Sequence, residues 1–154
     1  MMNQETGKND GALSETPEMM ECTLTSALTH ASARAQATIY GALYCGEAEL
    51  LTPETVELAL DKEDTKHDAF MGMETTFTQG GLAKFGDNGP PDSVMREVYD
   101  GFYGWAGWGG SISVVDPERK VSCMYVMSAM ANGLVGDKRM IRIMGAVQDC
   151  LKAA

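Results

Sequence analysis

Long apolar runs, clustered positive charge, paired cysteines and grouped histidines are all missing from this 154-residue sequence. No stretch approaches the roughly 18 apolar residues of a membrane span. Residues 1–20 are polar and acidic with no apolar h-region, so no signal peptide is expected. A cytoplasmic location follows unless a targeting segment precedes Met1. With 12 Lys and Arg against 22 Asp and Glu, the net charge of −10 argues against nucleic acid, whose phosphates need clustered cations. Cys22, Cys45, Cys123 and Cys150 are far apart and form no C-x-x-C pair, which excludes a disulfide framework and a zinc site. Cys123 and Cys150 read as small buried hydrophobes. His30 and His67 stand without ligand-spaced partners and read as surface or capping residues, so no metal and no cofactor is expected. The pair Glu47 and Glu49 and the group Asp61, Glu63 and Asp64 read as solvated charge rather than acid/base pairs.

What is present is enough for one core. Apolar residues make up 44% of the chain, with 17 glycines and 12 methionines, the latter adaptable core filler. The glycines concentrate in Phe102-Tyr103-Gly104-Trp105-Ala106-Gly107-Trp108-Gly109-Gly110-Ser111, followed by Ile112 to Val115 and the turn Asp116-Pro117-Glu118-Arg119. This stretch reads as one glycine-rich strand, 102–115, with Trp105 and Trp108 on opposite faces. Glycine weakens a strand, so several in a row imply that a ligand or a second backbone must come close. A phosphate loop is excluded, because Gly110 stands where G-x-x-x-x-G-K-[ST] requires lysine and a strand follows.

Elsewhere the punctuation is that of an α+β domain. Residues 1–28 read as a mobile acidic lead-in. Ser32 can cap a helix carrying Ala35, Thr38, Ile39, Ala42 and Leu43, ended by Gly46. Thr52-Pro53-Glu54 starts a second helix to about Leu60. A charged connector, 61–68, precedes a strand at 69–77, and a long turn-rich loop reaches Asp92. A third strand, 121–128, is followed by turn signals at Asn132-Gly133 and Gly136-Asp137. The final helix, from about Lys138 to Leu151, carries the apolar stripe Met140, Met144, Val147 and Leu151, with Arg139 on the surface. The expected fold is therefore a three-stranded antiparallel sheet with helices against one face and the helix 32–44 apart from it.

Gly104-Trp105-Ala106-Gly107-Trp108-Gly109-Gly110, Asp116-Pro117-Glu118 and Tyr125-Val126-Met127 together resemble the third active-site element of the serine β-lactamase, penicillin-binding protein and family VIII carboxylesterase superfamily. In its class C-like branch that element is a Phe-Gly-His-Thr-Gly-x-Gly-Gly run, an Asp-Pro turn and a Tyr-Val-x-Asn-x-Met strand. His30-Ala31-Ser32-Ala33-Arg34 through Ile39-Tyr40-Gly41-Ala42-Leu43 is similar to its Gly-His-x-x-Ala-Arg…Ile-Tyr-x-Ala-Leu helix. Leu51-Thr52-Pro53-Glu54-Thr55-Val56 resembles its Leu-Ser-Pro-Glu-Thr-Val segment. The resemblance covers residues 29–154 and implies the C-terminal portion of a β-lactamase/transpeptidase-like domain.

In that family a serine of S-x-x-K attacks an acyl carbonyl, a lysine and the tyrosine of Y-x-N handle its proton, and the glycine-rich strand supplies an oxyanion N–H. By position the donor is Trp108, within a substrate-strand remnant Trp105, Ala106, Gly107, Trp108, Gly109 and Gly110. No serine is followed three residues later by lysine, and no tyrosine two later by asparagine. Where the family has Lys, His or sometimes Trp this chain has Trp105, and where it has Thr or Ser this chain has Ala106, so neither a positive charge nor a hydroxyl is offered. The expectation is thus a truncated or divergent hydrolase domain with no catalytic residue of its own, toward a small acyl or ester ligand. The alternative is an interaction module whose open sheet edge pairs with a second copy or with the missing N-terminal part of the domain.

Overall fold

A computed structural model describes residues 16–25, 29–46, 50–88, 93–131 and 137–153. Helix α1, Pro17–Met20, is one turn capped by the Thr16 hydroxyl and buries none of its residues. Helix α2, Ala33–Tyr44, begins at the Ser32 hydroxyl, which accepts the Ala35 N–H at 3.2 Å, and stops before Gly46 at φ +71°. Helix α3, Pro53–Leu60, has Thr52 as its cap and Pro at its first position, where the missing N–H costs nothing.

The sheet has six antiparallel strands rather than the three expected, in chain order: β1 Asp64–Asp68, β2 Met73–Phe77, β3 Ala83–Lys84, β4 Tyr103–Ala106, β5 Ile112–Asp116 and β6 Val121–Tyr125. Three corrections account for the difference: β1, the division of 102–115, and β3, which lies in the stretch expected to be a loop up to Asp92. The charged connector 61–68 contains β1, an edge strand paired with β2 from Asp64↔Phe77 to Asp68↔Met73. Its side chains are nearly all exposed, so it lacks the apolar alternation by which strands are recognised. The stretch 102–115 is a hairpin, not one strand. Gly109 at φ +87° and Gly110 at φ +113° reverse the chain, and Tyr103↔Val115 through Ala106↔Ile112 then pair across it. The small strand β3 joins the hairpins through Phe77↔Ala83 and Ala83↔Gly104.

Helices cover both faces, which corrects the expectation of one covered face. Ile112 and Val114 of β5 point into a core with Ala83, Phe85, Phe102 and Ala106, closed by Val98 of helix α4, Val94–Val98, and by Met140 and Met144 of helix α5, Lys138–Ala153. Between them Ser113 faces the other way, as strand alternation requires. There its hydroxyl meets Gln36 of α2 at 2.8 Å, and Ser122 of β6 donates to the Ala37 carbonyl at 2.9 Å. Helix α2 therefore lies on the sheet and not apart from it. On α5 the thiol of Cys150 is exposed, contrary to its reading as a buried residue, because Met140, Met144, Val147 and Leu151 form the inward stripe. The turn signals at Asn132-Gly133 and Gly136 lie outside the described residues. No helix among the described residues is long and apolar enough to cross a membrane.

Candidate active-site remnant: the glycine hairpin

The hairpin β4–β5 is built so tightly that glycine is required at two positions. A Cβ on Gly104, at φ +152°, would lie 2.8 Å from the Val114 Cα and closer still to the Ser113 carbonyl oxygen. The backbone that comes close is thus the partner strand of the same sheet. At the tip, a Cβ on Gly110 would overlap the Asp137 carboxylate and come within 3.3 Å of Arg139. Ala106, buried in the core, faces no groove.

Trp105 and Trp108 do not share a strand, so the expected opposite-face relation does not apply. Trp105 belongs to β4 and packs its ring against Phe77 at 5.3 Å and Phe85 at 6.4 Å, yet is 42% exposed. Trp108 sits in the turn, 37% exposed. The turn is closed by Gly107 N–H to the Ser111 carbonyl at 2.8 Å and Gly110 N–H to the Gly107 carbonyl at 3.2 Å. A trans peptide directs its N–H opposite to its C=O. With the Gly107 carbonyl turned inward, the Trp108 N–H points out of the turn, and it takes part in none of the backbone hydrogen bonds among the described residues.

Two side chains that sequence reasoning placed outside the site hold the tip. The Asp137 carboxylate accepts the N–H groups of Arg139 and Met140 at 2.8 and 3.0 Å, starting α5. It also pairs with the Arg139 guanidinium, Nε to Oδ2 at 2.8 Å. The guanidinium fork reaches across to the Ala129 carbonyl at 2.9 Å and the Gly109 carbonyl at 3.2 Å. Arg139 is therefore not an ordinary surface residue. The sequence signal was an Asp at a helix start with an Arg two positions on, a pattern that also fits a plain cap. The hydrogen bond from Arg139 holds the Asp137 carboxyl below the usual carboxylate range.

Four serine hydroxyls among the described residues are committed to structure. The Ser32 and Ser93 hydroxyls cap helices, and those of Ser113 and Ser122 bind α2. Lys84, whose strand adjoins the hairpin, is paired with Glu63 at 2.9 Å and Asp87 at 3.0 Å. The hydrogen bond to Glu63 is the main cause raising its pKa, the wrong direction for a base. Burial raises the pKa of Tyr40, Tyr44 and the Cys123 thiol, so none is poised to ionise near neutrality. The Tyr99 hydroxyl is buried without a hydrogen-bond partner among the described residues, and burial raises its pKa as well. His67 lies exposed on β1, and the described residues include no group of three or more His, Cys, Asp or Glu placed to hold a metal.

No protein-family model and no curated protein matches the chain. Solved structures do. A family VIII carboxylesterase matches 75% of this chain with a TM-score of 0.59 at 23% identity, and the match takes in 30% of that protein. A penicillin-binding protein homologue from Caulobacter crescentus matches 77% with a TM-score of 0.60 at 30% identity, taking in 32% of its length. The chain thus spans about a third of each neighbour.

Proposed function

From the premise that this chain has a β-lactamase- and penicillin-binding-protein-like fold, we propose that it is the C-terminal portion of a β-lactamase-related serine hydrolase domain and is not catalytic on its own. One observation carries the reading. The glycine hairpin is formed with a Trp108 N–H that joins no backbone hydrogen bond among the described residues, while the hydroxyls of Ser32, Ser93, Ser113 and Ser122 are bonded to helix starts and to α2 rather than to a lysine or tyrosine. An oxyanion donor without a nucleophile can polarise a carbonyl but cannot open it. Trp105 and Ala106 supply no positive charge, and the nearby Arg139 is neutralised by Asp137, so a neutral acyl or ester ligand suits the site better than a carboxylate. The test is intact mass after incubation with a fluorescent penicillin and with a p-nitrophenyl ester. No adduct is expected; a serine-linked acyl group would overturn the reading.

A second reading, a non-catalytic interaction module, is favoured by the contrast between the two sheet edges. β1 carries charge at Asp64, Lys66 and Asp68, a common protection against strand pairing. The other edge, β6, is Val-Ser-Cys-Met-Tyr with no charge, and α3 buries none of its residues. The partner would be a second copy or the rest of the domain. Sedimentation velocity over a concentration series should show a growing species; a compact monomer at the highest concentration excludes self-pairing.

A further inference from the structure

The glycine turn is held from outside as well as from within. Its Gly109 carbonyl accepts twice, from the Ala131 N–H at 2.8 Å and from Arg139 at 3.2 Å, while Met130 lies over Gly109 so closely that a Cβ there would meet its side chain at 2.7 Å. The same guanidinium takes the Ala129 carbonyl, so one side chain ties the tip of β4–β5 to the segment leaving β6. Asp137 fixes that guanidinium in turn, and is itself fixed by the first N–H groups of α5. The chain of restraint therefore runs from α5 through Asp137 and Arg139 to the Gly109 carbonyl, one residue beyond Trp108. A planar fork with several donors is suited to this task, since it can satisfy two carbonyls and a carboxylate at once; an ammonium group is a single point.

We propose that Arg139 is the positioning residue of this turn: with Asp137 it holds the Gly109 carbonyl so that the Trp108 N–H stays aimed outward, independently of any nucleophile. The oxyanion use of that N–H rests on the hydrolase reading above, whereas the clamp itself does not. Preorganisation of this kind is what makes such a donor effective, because nothing need reorganise when charge develops.

The test uses the full chain, comparing amide spectra and hydrogen exchange in the wild type, Arg139→Ala and Arg139→Lys. In Arg139→Ala the Trp108 amide resonance should move, and the Gly110 and Ala131 amides should exchange about tenfold faster, the change that losing one net hydrogen bond brings. Val114 and Cys123, inside the sheet, should be unaffected. Millimolar methylguanidinium should restore the Trp108 resonance in Arg139→Ala and do nothing in Arg139→Lys, a rescue that general destabilisation would not produce. Unchanged turn amides in either variant, or no rescue in Arg139→Ala, would overturn the clamp. Arg139→Lys preserves charge and helix propensity and so keeps the test decisive if the alanine variant fails to fold. Acylation assays are not involved, so failure of the clamp and failure of the hydrolase reading are separate results.

Discussion

The Ser113 hydroxyl lies 2.8 Å from the Gln36 side-chain oxygen, joining α2 to the strand that follows the glycine turn. Its neighbours on β5, Ile112 and Val114, face α5 instead, so the two helical layers are tied through consecutive residues of one strand. Gln36→Leu should leave Ser113 half-buried without its partner and cost about 1 kcal/mol, read as a shift in the urea midpoint at unchanged slope.

Glycine at 104 and at 145 should respond in opposite directions. Gly104→Ala forces a side chain at φ +152° into the Ser113–Val114 backbone and should destabilise by about 3 kcal/mol or more. Gly145→Ala, inside α5 with only Val98 Cγ1 at 3.7 Å, should stabilise by about 0.5–1 kcal/mol through helix propensity. Urea unfolding of both variants checks the pair.

The core side of α5 can be separated from its outer side. Met140 and Met144 are fully buried, and replacing either by Ala should cost about 2–5 kcal/mol. Ile143, between them in sequence but exposed, should cost no more than about 0.5 kcal/mol. Equal losses at the three positions would contradict the placement of α5.

Thiol reactivity should follow burial. Cys22 and Cys150 are exposed and should react rapidly with a disulfide reagent near neutral pH. Cys45 is buried, and Cys123 is half-buried with its pKa raised by desolvation, so both should react slowly until urea is added. Four equally fast thiols would mean that the sheet is not formed as described.

Acid should selectively loosen the hairpin tip. The folded Asp137 carboxyl is held below its unfolded pKa by Arg139, so its contribution is complete above about pH 4, the unfolded value, and is lost as pH falls through the folded value. Comparing wild type with Asp137→Asn by urea unfolding should show a wild-type advantage at pH 7 that shrinks below pH 4. An advantage independent of pH would rule out the ion pair as its source.

Much of the fold is legible in the sequence. Ser32 and Thr52 were readable as caps, Pro53 as a first helical residue and Gly46 as a terminator, since each signal is local. The Met140 and Met144 stripe was readable because helical periodicity survives without knowing the partner. The glycine motif and its Asp-Pro turn were enough to indicate the fold. The same residues misled on topology: alternation is identical in one long strand and in a hairpin, so reading 102–115 as continuous hid the reversal at Gly109 and Gly110.

The amino-acid sequence by itself thus determined where helices start and stop, which stripe of α5 is buried, and that no S-x-x-K or Y-x-N is present within these 154 residues. These are properties of neighbours in the chain. Only the tertiary structure decided that Asp64–Asp68 is an edge strand, that α2 lies on the sheet, and that Arg139 reaches Gly109 across 30 residues. The last two depend on partners distant in sequence, Ser113 and Ser122 for α2 and a carbonyl at the turn for the guanidinium, while the polar edge depends on a pairing with β2 that its exposed side chains do not announce. Non-local pairing leaves little trace in local pattern, because exposed or polar residues satisfy it as readily as apolar ones.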